Sequence, residues 1–376
     1  VPVSTWHLYV PTTCNFVHEV DMGRGVVARS FADDDGDGGV GDVPRLKYMF
    51  SGAARQAWLL DGTNATATNN GTSTSATTTT MTTTSSPPVV LKTLRWTRNI
   101  VPAQANRQRR DAVATERLTS SPHVVDIYGY CSTSAINEYA DGGDFYHANA
   151  DGDDNDGNVV ATPAEKLLFA RDAALGLAAI HGVDGPDHVT TMVHHDIRRH
   201  NFLLVGGKLK YHDFNQARFL RWNPKTEKRC GFAWEEKCEG NDVDVYPRSP
   251  EECRNATTPD RNLSERVEIY RLGVFFFQLL TNEYPYKFEP YNTTSPSPSK
   301  RRPSYARVLS WILDPTKEPT IPREYEDSDD PAVKVLILAI RKAMEWDETK
   351  RLGARSLAES LDIGTELAIM LRKDQR

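Results

Sequence analysis

Residues 193–215 read VHHDIRRHNFLLVGGKLKYHDFN, and the rest of the chain can be placed by its distance from them. Asp196 is followed five residues later by Asn201 and seventeen later by Asp213. Between the last two, FLLV and LKY are short apolar runs joined by Gly206-Gly207. Paired glycines accept the positive φ angles of a tight hairpin turn, so this stretch predicts two short antiparallel strands. Such a hairpin carries three oxygen ligands, those of Asp196, Asn201 and Asp213, to one point.

Phosphoryl transfer from a nucleotide needs this set. One carboxylate orients the attacking hydroxyl and accepts its proton, while an amide and a second carboxylate hold Mg²⁺ against the phosphates. HHDIRRHN and DFN resemble the catalytic loop HRDxKxxN and the metal-binding DFG turn of the protein kinases. The resemblance implies that Asp196 is the catalytic base, that Asn201 and Asp213 bind Mg²⁺, and that Arg198 stands at the position of the usual phosphate-steadying lysine. Two other readings of the stretch are an exposed hairpin of solvated polar groups and a metal site built from His194, His195, His200 and His212. The four histidines lack the i, i+4 or cysteine spacing of zinc sites.

A net charge of -6 and an isoelectric point near 6.0 give no electrostatic footprint for nucleic acid. No apolar run is long enough to span a bilayer; VKVLILAI at 333–340 is short and flanked by charges. The chain starts at Val1 rather than Met, so the natural N-terminus is expected upstream, and a membrane anchor, if there is one, belongs there. Five cysteines (Cys14, Cys131, Cys230, Cys238, Cys253) form no CxxC pair, and glycosylation sequons begin at Asn64, Asn70, Asn255, Asn262 and Asn292. Together they favour a secretory lumen or the extracellular space over the cytoplasm.

The flanking chain extends the resemblance. Residues 1–44 have little periodicity and read as a partly disordered extension. The acidic runs at 33–38 and 151–157 imitate calcium loops, but Pro44 and Thr162 stand where the closing glutamate belongs. GRGVVA at 23–28 and RLKYMFSGAARQAWLLDG at 45–62 compete as the phosphate-covering hairpin; the second is preferred because it lies one strand before VVLK. It has one central glycine, Gly52, with Phe50 and Arg55 at the other glycine positions, and Ala57 facing the adenine. Residues 63–86, almost wholly Thr, Ser, Asn and Ala, read as a disordered insertion.

In VVLK, Lys92 matches the lysine that grips the α- and β-phosphates. The acid in register on the next helix is Asp111, since Glu116 lies roughly 140° further round. SAINEYADGGDF resembles the hinge: Glu138 and Ala140 offer backbone groups to adenine, Asn137 is the gatekeeper and Asp144 reaches the ribose. Thr162-Pro163-Ala164-Glu165 is a capping box that starts a helix ending at His181-Gly182. Ser249-Pro250-Glu251 resembles the APE motif, with Arg351 as its partner. VEIYRLGVFFFQLLT resembles the core helix DxxSxG, with Glu268 at the aspartate position.

These matches imply an α+β, bilobal kinase-like fold over residues 45–365. A small β-rich N-lobe takes 45–139, a larger helical C-lobe 140–365, the nucleotide lies in the cleft between them, and 366–376 form a tail. The expected function is ATP- and Mg²⁺-dependent transfer of the γ-phosphoryl group to a protein substrate, with Ser/Thr favoured over Tyr. The alternatives are a pseudokinase that binds nucleotide or partners, and a secretory kinase acting on a sugar hydroxyl. His195 replaces the arginine that usually anchors a phosphorylated activation loop, so activity is expected not to depend on loop phosphorylation.

Overall fold

The computed structural model describes residues 45–52, 55–61, 87–95, 97, 101–145, 161–185, 189–220, 222–223, 225–226, 228–229, 248–254, 263–289 and 303–374. The N-terminal extension, GRGVVA, the Thr-rich insertion, the acidic runs, every sequon asparagine, Cys14, Cys230, Cys238 and most of the segment between Asp213 and Glu251 lie outside them. The chain divides into two compact units, one built from residues up to 116 with 126–139, the other from 117–125 with 140 onward.

Among the described residues, the first unit is a five-stranded antiparallel sheet with one helix. Strands β1 (Arg45–Ser51), β2 (Arg55–Asp61), β3 (Val89–Leu94), β4 (Ile127–Cys131) and β5 (Ser134–Glu138) lie in the order β1-β2-β3-β5-β4. The two β-prone runs around Gly52 thus form the expected hairpin. Period-two alternation divides the side chains between faces. Leu60, Leu91 and Ile136 pack with Trp58 on one face. Ala135 and Ile127 pack on the other against Ala112 of helix α1 (Pro102–Arg117). Lys92 pairs with both Ala57 and Ala135, so it lies on the helix-bearing face.

The second unit is mainly helical. Helix α2 (Pro163–His181) begins with the capping box as read: Glu165 N donates to Thr162 Oγ1 at 3.3 Å, and Thr162 N donates back to Glu165 Oε2 at 2.8 Å. A strand pair, β6 (Met192–Val193) with β9 (Arg218–Phe219), brackets the hairpin of β7 (Phe202–Val205) and β8 (Lys208–Tyr211). Gly206 and Gly207 turn that hairpin with φ of 55° and 75°. Helices α3 (Pro250–Arg254), α4 (Arg266–Thr281), α5 (Tyr305–Leu313), α6 (Arg323–Glu326), α7 (Pro331–Ala343) and α8 (Ala354–Asp374) follow. In α4 every side chain from Val267 to Thr281 is buried. A helix enclosed on all sides is the axis of its unit.

Two boundaries differ from those read in the sequence. Residues 117–125 belong with the helical unit because they add to its hairpin: Tyr211 N donates to His123 O at 2.9 Å and Val125 N to Tyr211 O at 3.0 Å. The 365/366 boundary falls inside α8, whose inner face stays buried beyond it at Ala368.

Candidate active site

The segment that begins at Val193 is held by α4. Glu268 is fully buried and accepts three hydrogen bonds: from His194 N at 3.1 Å, from His195 N at 2.5 Å, and from the His181 ring, whose Nε2 lies 2.8 Å away. Burial alone pushes its carboxyl up. The hydrogen bond and charge of His181 and the His195 N–H outweigh burial and hold it below the ordinary value. Glu268 therefore takes up the aspartate position of the core helix with one more methylene. His195 itself has a φ of 70°, a left-handed conformation that costs a non-glycine residue about 1 kcal/mol or more.

His194 ties the two halves of the site together. Asp196 N donates to its Nδ1 at 3.3 Å, which leaves the ring proton on Nε2, 3.2 Å from the His212 carbonyl. Its ring lies 4.7 Å from that of Phe214. His194 is thus a bracket between Asp196 and the turn that follows β8.

Asp196, Arg198 and Asn201 come together as read. Asn201 Nδ2 donates to Asp196 O at 2.7 Å and to Asp196 Oδ2 at 2.9 Å. Arg198 Nε lies 2.6 Å from Asp196 Oδ1. With the amide nitrogen committed to Asp196, Asn201 has its Oδ1 to offer a metal. Asp213 follows β8 and is joined to Asn201 through His212 N, which donates to Asn201 O at 3.1 Å. Its backbone is left-handed, at φ 61° and ψ 64°, and its Oδ1 accepts from Asn215 Nδ2 at 2.5 Å. An amide oxygen and a carboxylate are hard oxygen donors that suit Mg²⁺, which usually takes its remaining ligands from phosphate and water.

Asp144 lies beside the same hairpin. It bridges Leu203 of β7, while Gly142 N donates to Leu204 O at 3.0 Å and Gly206 N to Asp141 Oδ1 at 2.7 Å. The approach is close enough that a Cβ on Gly142 would meet Leu204 Cβ at 2.6 Å. Ala140 begins this run, and its carbonyl accepts from Gly143 N at 3.1 Å.

In the sheet unit, Ala57 stands directly opposite Lys92. Gly52 N donates to Arg55 O at 2.9 Å, closing its own turn, and its φ is not left-handed. Among the described residues a Cβ there would meet nothing nearer than Arg55 O at 3.8 Å. Asp111 of α1 takes Arg55 Nη2 on its Oδ2 at 2.5 Å. Glu138 N donates to Asp126 O at 3.0 Å, and its carboxylate turns back onto Asp126 N at 3.1 Å.

The reading of Arg351 is matched in the structure: its guanidinium meets both oxygens of Glu251, at 2.6 and 3.0 Å. The sequence reading missed Arg271 and Glu252. Arg271 Nη2 donates to Glu252 Oε1 at 2.6 Å, and Arg271 Nη1 to His195 O at 2.8 Å. Two signals were available. Arg271 is a charge inside the apolar run of α4, three residues after Glu268, and Ser249-x-x-Glu252 has the form of a capping box.

The family model for the protein kinase domain matches residues 70–361, more than half of the chain. This chain belongs to the protein kinase domain family, and its fold is the α+β kinase fold with a β-rich and a helical part. The family is one of phosphotransferases that generally use ATP and Mg²⁺ and act on protein substrates. The β1–β2 hairpin lies N-terminal to the matched span, yet it continues the same sheet through β3. Comparison with curated proteins found no match.

Proposed function

We propose that this chain is a catalytically active protein kinase that transfers the γ-phosphoryl group of ATP to a serine or threonine hydroxyl. Asp196 receives the proton of the attacking hydroxyl, Arg198 steadies the transferred phosphoryl group, and Asn201 and Asp213 hold Mg²⁺. Lys92 grips the α- and β-phosphates, Ala57 lies against the adenine, Glu138 and Ala140 offer it backbone groups, and Asp144 takes the ribose. Asp111 supports this end of the site from α1, and Gly52 lets the phosphates approach the hairpin backbone. When bound, Mg²⁺ supplies positive charge against the phosphate oxygens.

The observation that carries this reading is the Asn201 amide, which holds Asp196 at two points while presenting its own oxygen as a ligand. One side chain thereby sets the base and a metal ligand in a fixed relation, which a hairpin of solvated polar groups does not need. Incubating purified protein with ATP, Mg²⁺ and a mixed panel of protein and sugar acceptors, beside Asp196→Asn, tests it. Phosphotransfer to Ser or Thr that disappears in the variant supports the reading. Mg-ATP binding without transfer in either protein supports the pseudokinase instead, and transfer only to sugar moves the acceptor class.

A secretory or extracellular location goes with this function, supported by Cys131 and Cys253, each of which is in a disulfide. It is also the reason to keep sugar acceptors in the panel. Mass mapping of disulfides and glycans in protein purified from its native source tests the location; free thiols and unmodified sequons throughout oppose it.

A further inference from the structure

The helical unit contains a buried link from the 248–254 segment to the backbone beside Asp196. Its centre is Arg271, 3 % exposed in the middle of a helix whose buried residues are mainly apolar. Burying a guanidinium is costly unless its donors are met. Here one nitrogen meets Glu252 Oε1 at 2.6 Å and another meets the His195 carbonyl at 2.8 Å.

Each end of this link is itself fixed. Glu252 is 1 % exposed, and its second oxygen accepts from Ser249 N at 2.8 Å, while Glu252 N points back to Ser249 Oγ at 3.4 Å. The carboxylate that caps the first turn of α3 is therefore the one that holds Arg271. Arg248 Nη1 adds a contact at 3.3 Å. At the other end, His195 is held on both sides of its peptide chain: Glu268 takes its N–H and Arg271 donates to its carbonyl. These two groups lie one helical turn apart on α4, a carboxylate that can only accept and a guanidinium that can only donate.

The grip matters because of where His195 stands. Its backbone is left-handed at φ 70°, a conformation that persists only where surrounding contacts impose it. The carbonyl that Arg271 holds belongs to the peptide joining His195 to Asp196, so its direction sets where the Asp196 side chain starts. Position 271 is serine in the core-helix pattern DxxSxG that this helix otherwise resembles.

The geometry points to Arg271 as a positioning residue that, through Glu252, couples the order of the 248–254 segment to the orientation of Asp196. This rests on the proposal that Asp196 is the catalytic base.

The test uses the full chain and two readouts: steady-state phosphotransfer, and amide hydrogen exchange across 193–201. Arg271→Met alone leaves Glu252 buried beside Arg248 only, so the primary variant is Arg271→Met with Glu252→Gln, which removes both charges together. With unfolding still cooperative, its kcat is expected to fall by about tenfold or more, as a small misplacement of the base can cause. The KM for ATP should change by less than about twofold, because no nucleotide contact is removed.

Exchange across 193–201 should rise while α7 and α8 stay as protected as in the parent. Arg271→Lys, which keeps the charge and one donor group, should recover part of both losses. If the double variant does not fold, Arg271→Lys is compared with the parent directly, and lower kcat with faster local exchange is expected. Parent-like turnover and exchange in the folded double variant, or failing that in Arg271→Lys, overturn the inference. Should the parent itself not turn over, the function proposed above fails, and the exchange measurement alone decides the role of Arg271.

Discussion

Arg55 Nη2 lies 2.5 Å from Asp111 Oδ2, with side chains 16 % and 9 % exposed. Arg55 stands where the phosphate-covering hairpin was expected to carry a glycine, and Asp111 is the helix acid expected to face Lys92. The hairpin thus reaches α1 through an ion pair on the Lys92 face of the sheet. A double-mutant cycle of Arg55→Met and Asp111→Asn in denaturant unfolding should give a coupling of about 1–3 kcal/mol, the range for contacting buried groups. Additive effects of the two substitutions would show that the pair does not hold α1 to the hairpin.

His123 gives the helical unit a pH-dependent stability. Burial, then the charges of Lys208, Arg171 and Lys210, pull its pKa from 6.5 down to about 4. At pH 7 the ring is neutral, and its 3.5 Å approach to Asp172 is not an ion pair. The unfolded chain takes up this proton first, so the contribution is fully present above about 6.5 and is lost as pH falls from there toward 4. Denaturation midpoints at pH 7 and pH 5 should fall further apart in the parent than in His123→Gln; equal falls would remove His123 as the cause.

Gly176 lets α2 lie against the hairpin. A Cβ there would come within 2.6 Å of the Tyr211 ring, whose hydroxyl donates to Ala173 O at 3.0 Å. Gly176→Ala should therefore destabilise the protein by about 1–3 kcal/mol through overpacking, despite alanine's better helix propensity. A melting temperature equal to or above the parent's would show that Tyr211 moves aside freely.

The sequence reading gave His195 a regulatory consequence, and its burial supports it. The residue is 1 % exposed. A buried imidazole cannot dock a phosphate carried by an exposed loop as a surface arginine does. Phosphatase treatment of active protein is expected to leave its turnover intact, measured beside a mock-treated sample; loss of turnover would mean that another cation serves as the phosphate anchor.

Local chemistry was enough to read much of this chain. Gly206-Gly207 specified the hairpin because few residue pairs accept two positive φ angles, and Thr162-x-x-Glu165 marked the start of α2 because its two side chains satisfy each other's backbone donors. The spacing of Asp196, Asn201 and Asp213 was legible for the same reason: a short hairpin leaves its flanking residues little freedom. The Glu251–Arg351 pair, a hundred residues apart, was reached only through resemblance.

What the sequence could not decide was which partners the buried charges choose. Glu268 could have been an ordinary first-turn acid; packing made it the acceptor for two successive catalytic-loop amides and a histidine. Asp111 was read by helical register toward Lys92; that the fold also brings Arg55 to it, across 56 residues, is something register does not record. Arg271 became meaningful once α4 was enclosed on every side. A charge denied water must find its complement among whatever groups the tertiary fold has brought within 3 Å, and no local pattern records which those are.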